Sequence, residues 1–237
     1  MTHQTEWSNV EQTLVRRERW PGRYDAKYTP LVYPGQKVLP DQPVLRLQYA
    51  QPVEYAGMPM SATETVLAGL SGRVVSITPR GGVVIEGRVT LVRGMIGVGR
   101  QMAGVLTLWS PGESRNKASS LLPDGAILIV PGPINFAFLH QVLASGISAV
   151  IASSITARDL EGFLRTDITQ LLDFNDIEMA QTHLPPITLF LTEGLGTFEM
   201  PSRLLNLFSS YQGTVALLSG VTSARRGISP ELLISLM

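Results

Sequence analysis

Cysteine is missing from all 237 residues. Its absence excludes disulfides, thiolate nucleophiles, Cys-ligated zinc and iron–sulfur clusters. Histidine is scarce: only His3, His140 and His183 occur, and none has a second His or a carboxylate at metal-ligand spacing. Charged residues make up only 16% of the chain, and 19 basic residues balance 19 acidic ones. No overall field therefore draws the protein to nucleic acid or anionic lipid. The longest apolar runs, such as Ala126–Val130 and Ile147–Ala152, are far too short to span a bilayer. The first twenty residues lack the apolar segment of a secretory signal, so the expected compartment is the cytoplasm. Phosphate-binding GxxxxGK[ST] loops and Gly-x-Ser-x-Gly elbows are both absent. Gly97-Val-Gly99 and Gly194-Leu-Gly196 lead to Met102 and Glu199 where a dinucleotide loop needs its third Gly. The motifs imply no cofactor, no metal and no catalytic residue.

What is present is an apolar content of 44%, enough for a sizeable core in one large domain or two small ones. Gly (22) and Pro (16) are plentiful and favour many turns and short strands. Ser8 and Glu11 have capping-box spacing, and Trp7, Val10 and Leu14 share a helical face. A short helix over 8–19 is predicted within an N-terminal arm, 1–28, ending at Pro21-Gly22. From 29 to 110 the pattern is β-like. The predicted strands are Leu31–Tyr33, Val44–Tyr49, Gly72–Thr78, Gly82–Glu86, Val89–Arg93 and Gly104–Trp109. Turn signals at Pro34-Gly35, Pro40-Asp41, Gly81-Gly82 and Glu86-Gly87 separate them, and 50–66 reads as a loop with weak strand character. Strands this short need mutual closure, hence a small β barrel or sandwich.

Residues 111–124 are polar, with Pro, Gly and Ser, and read as a linker. Beyond it, over 125–220, apolar runs alternate with helical periodicity. Strands are predicted at Ala126–Val130, Ala149–Ala152, Ile187–Leu191 and Thr214–Leu218. Helices are predicted from Pro133 to Gly146, over 157–165 and over 201–211. That rhythm calls for parallel β-α-β units. The fold class expected is therefore mixed, α+β with α/β. The tail 221–237 ends in Leu232, Leu233, Ile234, Leu236 and Met237 and has to dock on a partner or on the chain's own sheet.

Two families are resembled. Tyr33-Pro-Gly-Gln-Lys-Val-Leu-Pro-Asp-Gln-Pro-Val-Leu-Arg-Leu47 and Gly69-Leu-Ser-Gly-Arg-Val-Val-Ser-Ile77 resemble the two halves of a barrel-sandwich hybrid, the fold of biotinyl and lipoyl carriers, over about residues 30–90. Carriers modify a Lys between those halves, and residues 47–72 contain none. The resemblance is thus to non-carrier members, such as the N-terminal domain of Rnf-type electron-transport subunits, which implies a structural or docking module. Gly125-Ala-Ile-Leu-Ile-Val130, Phe138–Ile151 and Leu184-Pro-Pro-Ile-Thr-Leu189 are similar to a protease-associated or swivelling β/α domain over about 120–220. This implies a non-catalytic binding or lid module.

Ligands of open parallel sheets bind beyond the carboxyl ends of the strands. Here those loops contribute Asn135, Ser153, Ser154, Thr156, Arg158 and Glu193, a candidate site for a small polar or anionic ligand beside two helix N-termini. The same residue types also serve as helix caps and turns. Residues 73–117 hold seven basic against two acidic residues and include Trp109. A nucleic-acid groove is one reading of that stretch, and basic protection of sheet edges is the other. The function expected first is a binding or scaffold protein in an intracellular complex, with a protein partner or a second copy of itself. A ligand sensor or enzyme using the carboxyl-end loops, and a nucleic-acid module, are the alternatives.

Overall fold

The computed structural model describes residues 10–22, 26–51, 60–109, 125–145, 147–167, 187–223 and 227–236. His3, His183, Gly146 and the predicted linker 111–124 lie outside them. The described residues form a mixed α+β fold, mostly strand, with three helices. The N-terminal half supplies β1 (Val10–Arg19), β2 (Ala26–Pro30), β3 (Lys37–Val38), β4 (Pro43–Gln51), β5 (Met60–Leu67), β6 (Gly72–Ile77), β7 (Val83–Arg93), β8 (Ile96–Val98) and β9 (Gln101–Leu108). The C-terminal half supplies β10 (Ile127–Val130), α1 (Phe136–Ala144), β11 (Ala149–Ile155), α2 (Ala157–Leu164), β12 (Thr188–Leu195), α3 (Ser202–Ser210), β13 (Val215–Ser219) and β14 (Glu231–Ser235).

Eleven strands join one curled sheet in the order β3-β6-β7-β14-β13-β9-β10-β11-β12-β8, with β1 added along β7. β2, β4 and β5 form a separate antiparallel sheet. β9, β10, β11 and β12 are mutually parallel. β10, β11 and the first five residues of β12 are buried residue after residue, so both their faces are covered, which explains their unbroken apolar runs. Leu128, Val130 and Val150 face α1 and α2 through Leu139, Val142 and Leu160. Ile127, Ile129 and Phe190 face α3 through Leu204 and Phe208. The strand order advances in one direction from β10 to β12, so right-handed crossovers place α1 and α2 on the same face. A third cluster, with Val44, Leu45, Leu70, Ile85, Leu91 and Leu217, lies where the three-stranded sheet faces the curled one.

Several expectations are corrected. Residues 10–19 form strand, not helix: Val10–Arg19 pairs in register with Val92–Val83. A long β7 edge offers a full set of backbone partners, and that outweighs the helical spacing of Val10 and Leu14. Leu14 is left exposed by the strand period, and Val15 is buried instead. Glu86-Gly87 is no turn, and β7 runs through it. Gly87 is there because a Cβ would meet the Ser71 carbonyl oxygen at 2.1 Å, and one on Gly72 would meet the Glu86 carbonyl oxygen at 2.1 Å. The predicted strand at Leu31–Tyr33 falls instead on Ala26–Pro30, and 60–67 within the expected loop is strand β5. The apolar tail docks on the chain's own sheet. β14 sits between β13 and β7, with Leu232, Leu233 and Ile234 buried.

Candidate functional site

The carboxyl ends of β10, β11 and β12 do converge, but most of their polar side chains serve the fold. Asn135 caps α1, its side-chain oxygen accepting from the Phe138 N–H at 2.9 Å. Thr156 caps α2, accepting from the Asp159 N–H at 3.2 Å and donating to its carboxylate at 2.7 Å. The Ser154 hydroxyl donates to the Phe198 carbonyl at 3.0 Å and accepts from the Phe198 N–H at 2.8 Å. Arg158 is exposed on the first turn of α2. No ion pair joins it to Glu193 among the described residues. Ser153 and Glu193 lie on neighbouring strands where the register slips: Ala152 pairs with Leu191, yet Ser154 pairs with Gly194. β12 thus carries an extra residue there, a bulge of the kind that re-aims side chains. The Ser153 hydroxyl is buried without a hydrogen-bond partner. Burial raises the Glu193 carboxyl above its ordinary range.

A second site was not legible in the sequence. Arg17 and Arg19 project from the same face of β1, the face on which Val15 joins the core between the two sheets. Arg17 meets the Glu231 carboxylate through two hydrogen bonds of 2.8 and 2.9 Å. Arg19 is only 1% exposed and has no carboxylate within ion-pair distance among the described residues. Its Nε donates to the Leu67 carbonyl at 2.9 Å, and its Nη1 donates to the Gln101 side-chain oxygen. Both acceptors are neutral. Burial pushes the guanidinium down to about 9. A buried cation without a carboxylate partner costs several kcal/mol after relaxation.

Arg19 borders a cleft of about 380 Å³ between β5 and β9. One wall is Glu64–Leu67 and the other is Gln101–Val105, with Gly125, Ser148 and Val215 closing it. Arg19 therefore ties the last residue of β5 to the first of β9. A side chain of Val66, Leu67, Met102 or Val215 gives the cleft apolar sides, and Arg19 with Gln101 gives it a polar end. Glu64 stands at the opposite part of the β5 wall, accepting from the Tyr49 hydroxyl. The basic stretch 73–117 offers less free charge than its sequence suggests. Arg80 is paired with Glu18 and stacked 4.0 Å over Trp20, and Arg93 is paired with Glu11. Trp109 is packed edge-on against Phe138. His140 lies between Phe136 and Phe163, and no cluster of three or more His, Asp or Glu suited to a metal ion occurs among the described residues. No described helix is long and apolar enough to cross a membrane.

The sequence signal that could have located this site is weak. Arg17 and Arg19 are spaced two apart, as on a strand face, but a helical reading of 8–19 places them on a solvated surface. Comparison with known proteins adds no constraint, since no protein-family model, curated protein or solved structure matches the chain.

Proposed function

We propose that this protein is a binding module that takes an anionic group, foremost a carboxylate, into the cleft between β5 and β9, with Arg19 as its anchor. One observation carries this reading: a guanidinium almost fully removed from water, bordering a cleft, whose acceptors among the described residues are the neutral Leu67 carbonyl and Gln101 amide. Arg17 on the same strand face has its carboxylate, supplied by Glu231. Arg19 is the equivalent group that finds no carboxylate among the described residues. A guanidinium fork meets a carboxylate in a charge-assisted pair roughly twice as strong as a neutral hydrogen bond. The cleft volume of about 380 Å³ falls in the range of small-ligand sites. The resemblance of residues 30–90 to non-carrier barrel-sandwich hybrids supports the same class of use, docking rather than group transfer.

The test is a thermal-shift titration of the protein and of Arg19→Met with succinate, glutarate, N-acetylaspartate amide and inorganic phosphate, against chloride at equal ionic strength. A ligand that binds only the folded state raises Tm in proportion to the logarithm of its concentration. Saturable shifts confined to the unaltered protein are expected. Equal shifts in Arg19→Met, or none with any anion, reject the site.

A second reading, a ligand sensor or enzyme at the carboxyl ends of β11 and β12, is favoured by the register slip where these neighbouring strands carry Ser153 and Glu193, the buried Ser153 hydroxyl having no hydrogen-bond partner among the described residues. Ser153→Ala and Glu193→Gln separate it from the first, because neither residue borders the Arg19 cleft.

A further inference from the structure

The walls of the Arg19 cleft are strand edges, not strand faces. A face presents every second residue, whereas Glu64, Thr65, Val66 and Leu67 line the cleft in unbroken sequence, as do the five residues Gln101–Val105 opposite. Pairing agrees. Among the described residues β5 is hydrogen-bonded to β4 alone and ends its three-stranded sheet. β9 pairs with β13 over Gln101–Val105, and its other edge is taken up by β10 only from Leu106 onward. The Leu67 carbonyl points into the cleft, since it accepts from Arg19. By strand alternation the Thr65 N–H and carbonyl point the same way.

We infer that the occupant of this cleft is an extended peptide of a partner protein, added as a strand to the β5 edge with an acidic side chain on Arg19. This rests on the carboxylate reading above and names its ligand class. Two observations select a peptide over a small acid. Among the described residues, edge N–H and C=O groups without a strand partner recur along both walls, and only another backbone satisfies such a row in register. The edge at Glu64–Leu67 carries no proline or lysine of the kind that blocks strand addition, and the extra residue where the register of this pair shifts lies on β4, between Pro43 and Leu45, not on β5. The charge pattern then sets specificity. Arg19 supplies one uncompensated cation, and the Glu64 carboxylate on the same wall repels a second acidic group. The favoured strand carries a single Asp or Glu among alternating apolar residues that meet Val66, Met102 and Val215.

The full-length protein is panned against a displayed library of random heptapeptides, and selected peptides are measured by fluorescence anisotropy. Enriched peptides are expected to share one acidic position. Replacing that acid by its amide, or Arg19→Met in the protein, lowers affinity roughly 30-fold or more, as for a broken buried charge pair. N-methylation at alternate peptide residues abolishes binding on one parity only, and Thr65→Pro does the same from the protein side. Thr65→Pro variants are checked for retained melting first, and the N-methyl series stands independently of that variant. Selected peptides that bind Arg19→Met equally, or tolerate N-methylation on both parities, overturn the proposal. An empty selection alongside an Arg19-dependent melting shift with succinate or glutarate also overturns it, and leaves the carboxylate reading standing. An empty selection with no anion shift removes both.

Discussion

Replacing Arg19 by Met is expected to make the free protein more stable while removing its binding. The guanidinium makes two hydrogen bonds, to the Leu67 carbonyl and the Gln101 side-chain oxygen. Bonds from a charged donor contribute about 1.5–3 kcal/mol each, but both acceptors border the cleft, where water can take the donor's place. Against that loss stands the cost of an unpaired charge at 1% exposure. Replacing buried ionic groups by apolar ones of similar volume is commonly neutral or stabilising by about 1–4 kcal/mol. Methionine has the length and flexibility to pack along Val66 and Leu67. A net gain of about 2 kcal/mol raises Tm by roughly 4–8 °C for a chain of this size. The pH dependence gives an independent check. Burial lowers the group from its usual strongly basic range to about 9 in the folded protein, so the unfolded state binds the proton more tightly. The penalty is complete below about pH 9 and shrinks as pH rises above it. The stability gap between variant and unaltered protein therefore narrows over that window. Differential scanning calorimetry and chemical denaturation at several pH values measure both effects. A Tm lower in the variant by several degrees, with a gap independent of alkaline pH, refutes the reasoning and makes Arg19 a structural staple between β5 and β9.

Three further outcomes are expected. Leu233→Asp places a carboxylate at a site 2% exposed in β14, between β13 and β7, and should cost more than about 4 kcal/mol. Loss of the cooperative melting transition is the readout, and a variant that still melts near the original temperature contradicts the interior position of β14. Thr156→Ala removes the cap of α2 and should cost about 1 kcal/mol, seen as a small drop in denaturation midpoint without change in the anion response. Glu193 has a carboxyl raised by burial, so the folded state holds its proton more tightly than the unfolded one. Its contribution is complete below about pH 4.5 and is lost as pH rises through the folded value. Glu193→Gln should remove that decline in urea titrations across the acidic range, and an unchanged pH profile would count against burial as the cause.

The C-terminal half was largely legible because its signals are local. Ala126–Val130, Ala149–Ala152 and Ile187–Leu191 are apolar without interruption, as strands covered on both faces must be, and they fall on β10, β11 and the start of β12. The predicted helices 157–165 and 201–211 match Ala157–Leu164 and Ser202–Ser210, each marked by a cap or a proline in the chain itself. Asn135 and Thr156 carried both a site reading and a structural one in the sequence, Ser154 only a site reading, and the hydrogen bonds show the structural use of all three. The misreadings are all cases where a distant strand decides. Gly87 signals a turn by composition, yet it is needed for close approach to Ser71 on another strand. Met60–Leu67 alternates weakly because one of its faces and one of its edges are open, and its strand character comes from pairing with Pro43–Gln51.

By itself the sequence determined the mixed α+β class, the β-rich beginning, the strand–helix alternation after 125 and the exclusion of thiol and disulfide chemistry. These follow from composition, short-range periodicity and capping, which need no knowledge of what lies far along the chain. Only the tertiary structure decided that residues 10–19 are a strand, that the apolar tail fills a slot between β7 and β13, and that Arg17 finds Glu231 while Arg19 finds no acid among the described residues. The partners in these contacts are separated by tens to hundreds of positions in sequence, and burial and charge pairing at such distances exist only once the sheet has curled.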